Sequence, residues 1–66
     1  MYVQKYHHPY YQHQAEITLY ADEGLWSVEI IQDHAKRLHG LYPSLPSAQL
    51  IINALGFELS ETISDS

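Results

Sequence analysis

The stretch Leu25-Trp26-Ser27-Val28-Glu29-Ile30-Ile31-Gln32-Asp33-His34-Ala35-Lys36-Arg37-Leu38-His39-Gly40-Leu41-Tyr42 decides the fold, because it can be read in two ways. As a helix from about Val28 to His39, it would align Val28, Ile31, Ala35 and Leu38 on one face. Glu29 would then sit near the positive end, with Lys36, Arg37 and His39 near the negative end and Gly40 as the C-terminal cap. As strands, it places Trp26, Val28 and Ile30 on one face and Ser27, Glu29 and Gln32 among the polar positions. Gln32-Asp33-His34-Ala35 then forms a turn, and Lys36 to Tyr42 a third strand. Trp26, Val28 and Ile30 are strong strand formers directly after a turn, and the strand reading is preferred on that ground.

The residues upstream support it. Ala15, Ile17, Leu19 and Ala21 alternate with Glu16, Thr18 and Tyr20, the pattern of a half-buried strand. Asp22-Glu23-Gly24 makes a short turn, with Gly24 available for a positive φ, so the two runs read as a β-hairpin. Downstream, Ser44 is an N-cap with Leu45 and Pro46 in the first turn. Ala48, Ile51, Ile52 and Leu55 fall at i, i+3, i+4 and i+7, an apolar helical stripe. Gly56 fits the position after the C-cap, and Phe57 can fold back on the helix. The expected class is α+β: a small antiparallel sheet of two or three strands with one C-terminal helix packed on it, in a βββα-like order.

Either side of this unit the pattern weakens. Four of the six tyrosines and three of the five histidines fall in the first thirteen residues. Tyr2, Tyr6 and Tyr10 are four apart, but Pro9 disfavours a helix and pushes His8 toward an extended conformation, so the segment is expected as an extended arm that either meets a partner or adds an edge strand to the domain's own sheet. The chain is thus divided into an aromatic and histidine-rich arm over 1–14, an α+β domain over 15–59 and an acidic, flexible tail over 60–66.

Composition narrows the class of function. A chain of 66 residues is one domain at most, and a domain of this size buries only about 60% of its unfolded surface. Oligomerisation is one common support; disulfides are excluded, because there is no cysteine. Cysteine-free sequence and the lack of a basic stretch followed by an apolar run point to a soluble, cytoplasmic protein without a signal peptide. No apolar run approaches the ~20 residues that cross a bilayer. Three Lys plus Arg stand against eight Asp plus Glu, a net charge of −5. Nucleic-acid affinity comes largely from Lys and Arg at phosphates, so neither nucleic acid nor membrane is an expected partner.

No catalytic motif is present: no G-x-S-x-G, Gly-rich phosphate loop or H-E-x-x-H. An enzyme is not expected, and no cofactor is assigned. His7, His8 and His13 are metal-competent side chains, but neighbours on an extended chain point to opposite sides, and no metal site is assigned. Trp26 shares a strand face with Val28 and Ile30 and is expected in the core.

What remains is the ring-rich arm. Tyrosine favours interface centres because it buries a large area while keeping a polar handle. The expected partner-binding residues are Tyr2, Tyr6, His7, His8, Tyr10, Tyr11 and Tyr20. The expected function is a small non-enzymatic protein-binding module that modulates or inhibits a larger partner, of the kind phages and mobile elements encode. Two alternatives stand beside it: a homodimer or larger assembly with strand exchange, and a histidine-dependent metal or small-ligand binder.

Overall fold

The computed structural model of the chain describes residues 2–20 and 24–64. In chain order the elements are β1 (Tyr2–His7), β2 (Gln14–Tyr20), β3 (Leu25–Gln32), β4 (Ala35–Tyr42), α1 (Leu45–Ala54) and β5 (Glu58–Ser64). The strands form one sheet in the order β4-β3-β2-β1-β5, and every neighbouring pair is antiparallel. The class is α+β, but the expected sheet of two or three strands is corrected to five.

The ambiguous stretch folds as strands. β3 and β4 are joined by Asp33 and His34 alone, both at positive φ, 51° and 66°. Two left-handed residues in a two-residue loop follow the right-handed twist of the strands they join. Gly40, which would cap a helix, instead lies opposite Val28 within β4. A Cβ there would come within 2.9 Å of the Tyr42 hydroxyl, so the glycine makes room for that ring. Between β2 and β3, Gly24 has φ +65°; Asp22 and Glu23 of the expected turn lie outside the described residues.

The two extra strands come from the segments set apart as arm and tail. β1 lies inside the sheet, hydrogen-bonded to β2 on one side and β5 on the other. On a strand, Tyr2, Gln4 and Tyr6 share one face, and that face is the one that carries the core. β5 gives little sign of itself in sequence because it buries little: of Glu58–Ser64 only Ile63 is even half-buried. Its alternation is also interrupted. A register shift opposite Lys5 and Tyr6 leaves Leu59 across from Tyr6 and Ile63 across from Val3, on opposite faces despite their even spacing.

The helix forms as its sequence dictates. The Ser44 hydroxyl accepts from the Ser47 N–H at 3.3 Å, and Pro46 occupies the first turn. At the other end, the Gly56 N–H donates to the Asn53 carbonyl and the Phe57 N–H to the Ile52 carbonyl, with Gly56 at φ +94°. That is the Schellman arrangement, and it turns Phe57 back into the core. Because β4 and β5 are the two edges, α1 carries the chain across one whole face of the sheet. It packs on β2, β3 and β4. Ala48 and Ile52 meet Tyr6, Ala15, Ile17, Val28 and Phe57 in a single core, with Trp26, Ile30, Tyr42 and Leu45 at its margin. Among the described residues no helix covers the opposite face; Val3 and Ser27 are nevertheless buried there, between cross-strand neighbours.

Candidate functional site

Residues 8–13 connect β1 to β2 and hold a cluster of exposed rings. The loop is closed by the His8 N–H donating to the His13 carbonyl at 3.1 Å. Inside it, His8 Nδ1 accepts from the backbone N–H of Tyr10 at 3.1 Å and of Tyr11 at 3.3 Å. Nδ1 is thus the accepting nitrogen of the His8 ring, shared by two backbone N–H groups. Its ring stands edge-on to Phe57, with centroids 5.4 Å apart, and 4.8 Å from Tyr11. Tyr11 in turn stacks on His13 at 5.6 Å. Gly56 completes the seat: a Cβ at that position would lie 2.8 Å from His8 Nε2. One glycine therefore serves both the helix cap and the loop.

The loop is thereby fixed while its outer rings face solvent. Tyr10 is 87% exposed and Tyr11 63%. Of the expected partner-binding residues, His8, Tyr10 and Tyr11 are brought together here. The others are not. Tyr6 is only 4% exposed and belongs to the core, so its ring is withdrawn from any partner. Tyr2 is half-buried and packs edge-on against Trp26 at 5.4 Å. His7 points to the face away from the helix, hydrogen-bonded to the Ser60 hydroxyl and 3.6 Å from Glu58. Tyr20 ends β2, and its side chain lies outside what the structure describes.

Gln4 was not singled out by sequence, and nothing in its surroundings in the chain marks it. It is buried, and its Oε1 accepts from the Tyr6 hydroxyl at 2.7 Å and from Gln49 Nε2 at 3.0 Å. Its Nε2 donates to the Tyr2 hydroxyl at 3.1 Å. This network ties β1 to the helix and consumes the polar ends of two arm tyrosines. Burial raises the Tyr6 phenol above its ordinary pKa, an effect that Gln49 opposes and the nearby Tyr2 reinforces.

Beside the loop a cleft of about 300 Å³ opens on the helix-covered face, lined by His8, Tyr11, His13, Ile30, His39 and Phe57. It adjoins a second, of about 460 Å³, that runs along β4 past Ala35, Arg37 and His39. Ile30, Gln32 and His39 line both. His39 is the extra residue of a bulge, since Val28 pairs with Gly40 and Glu29 with Leu38. Among the described residues, no serine or threonine lines either cleft. The polar groups present can donate and accept hydrogen bonds and meet a negative charge. Among the described residues, no three His, Asp or Glu side chains converge as a metal-holding group, and no helix is long and apolar enough to cross a membrane. No family model, curated protein or solved structure matches the chain.

Proposed function

We propose that the protein is a non-enzymatic protein-binding module that acts by docking on a larger cytoplasmic partner and modulating or inhibiting it. The observation that carries this is the 8–13 loop: two tyrosines held out to solvent on a backbone already tied down by His8. Exposed rings on a fixed loop suit binding, because little conformational entropy is lost when the partner arrives. Tyrosine adds area and a hydrogen-bonding tip at the same site. Affinity purification of the tagged protein from its native cell tests this. One near-stoichiometric partner is expected, and the Tyr10→Ala/Tyr11→Ala variant is expected to lose it while melting at the same temperature. Retention of the partner by that variant would refute the loop's role.

A second reading, self-assembly through strand pairing, is favoured by the two open edges of the sheet, β4 and β5. A mass that stays monomeric at all concentrations in sedimentation would dispose of it.

A further inference from the structure

The two outer strands of the sheet carry opposite charge. β4 contains Lys36, Arg37 and His39 and no acidic residue; β5 contains Glu58 and Glu61 and no basic one. In a chain of net charge −5, β4 holds two of the three Lys and Arg residues. Lys36 is engaged on the face away from the helix, where Glu16 lies 3.1 Å from its Nζ. Arg37 has no carboxylate partner among the described residues. Its register partner is Ile30, which places it on the helix-covered face, along the 460 Å³ cleft with His39. Leu38 and Leu41 pair with Glu29 and Ser27, residues of the opposite face, and Leu38 beside the bulge also borders the cleft. Leu38 is 56% exposed. Among the described residues no further strand lies beyond β4, so alternate backbone N–H and C=O groups of this edge point outward.

We infer that β4 is the docking edge for an extended, acidic segment of a partner protein, which adds to the sheet as a sixth strand. This rests on the protein-binding reading and assigns it a second contact and a partner chemistry. The main-chain ladder supplies affinity, and alternate side chains supply specificity. Those on the helix-covered face enter the cleft beside Arg37 and His39, where carboxylates are complementary. Those on the other face lie against Leu38 and Leu41, which suits apolar residues.

The obvious rival occupant is β5 of a second copy. Successive antiparallel pairings make β4 and β5 of one molecule run in the same direction. Closed two-fold dimers would therefore set β4 on β4 or β5 on β5, each bringing like charges together. Pairing β5 of one copy on β4 of the next leaves a free edge at both ends and does not close. A separate acidic strand meets neither difficulty.

The test pans the full-length protein against a displayed library of random heptapeptides. Acidic residues at every second position, with apolar residues between them, are expected among the recovered sequences. A recovered peptide should shift the amide resonances of residues 35–42. N-methylation of one alternate set of its backbone nitrogens should weaken binding about tenfold or more, the scale of one lost backbone hydrogen bond, and methylation of the other set should not. Arg37→Glu should turn the selection toward basic peptides, with Arg37→Gln abolishing the acidic bias if the reversed charge disturbs the fold. The inference is overturned by recovery of no sequence or of sequences without acidic bias. It is equally overturned by resonance shifts confined to the 8–13 loop, or by self-association that Arg37→Glu abolishes, which would make a second copy the occupant. Tyr10→Ala, whose ring lines neither cleft, should leave the peptide selection unchanged, so failure at β4 and failure of the loop are read separately.

Discussion

At the scale of single residues, the arm tyrosines divide by the side of the strand on which they fall. Tyr2 and Tyr6 are four apart, a spacing that suggests a helix face, yet an even spacing also puts both on one face of a strand. There their hydroxyls meet Gln4, and the rings become structural. Tyr6 carries a consequence for pH. Its phenol pKa is raised in the folded protein, chiefly by burial, from an ordinary value of 10.0. A raised folded value means that the unfolded chain loses the proton first as pH climbs. The stability tied to the neutral phenol is complete below about pH 10 and is lost as pH rises through the folded value. Tyr6→Phe should therefore lose less stability than the parent between neutral and strongly alkaline pH, although it forfeits the bond to Gln4 at every pH. Denaturant titrations of both proteins at neutral pH and above pH 10 measure the difference. Parallel curves would show that Tyr6 ionisation does not contribute.

At the scale of elements, what could be read depended on whether a segment's signals were local. The helix was legible from Ser44 to Phe57 because cap, stripe and terminal glycine all lie within it. The β2–β3 hairpin was legible from alternation. β3 and β4 were harder, since Lys36, Arg37 and Gly40 also suit a helix end; tertiary pairing, with Gly40 under the Tyr42 ring, settles them as strands. β5 was illegible because its pairing is through backbone and its few apolar residues fall on both faces. The cleft residues Arg37 and His39 had no sequence signal at all, because a bulge sets where they lie. The β3–β4 turn offers an element-level test. Asp33 and His34 both occupy the left-handed region, where a side chain on an ordinary residue costs about 1–2 kcal/mol and glycine costs little. His34→Gly creates an Asp-Gly turn and should stabilise the protein by about 1 kcal/mol in urea unfolding. Unchanged or reduced stability would mean that His34 has a compensating contact.

At the scale of the whole molecule, a short chain without cysteine secures itself by drawing strands from both ends of the described chain, Tyr2–His7 and Glu58–Ser64, into one sheet. The arm is not an appendage: β1 joins the β2–β4 meander to β5 and delivers Tyr6 to the core. Deleting residues 2–7 should thus abolish the cooperative thermal transition and the dispersed amide spectrum. A truncated protein that still melted cooperatively would show that β1 is dispensable. The same architecture explains why the candidate site was only partly legible. The sequence concentrates rings in one segment, but the sheet withdraws Tyr2 and Tyr6, turns His7 to the far face and leaves His8, Tyr10 and Tyr11 on a loop braced by the helix end. The most direct test of that loop as the docking surface is a photo-crosslinking amino acid placed at position 10 in the full chain and irradiated in the native cell. The comparison is the same group at position 50, whose leucine is 70% exposed on the helix. A docking loop gives one protein adduct of defined mass from position 10 and none from position 50. Identical adducts from both positions, or none from position 10, would contradict it.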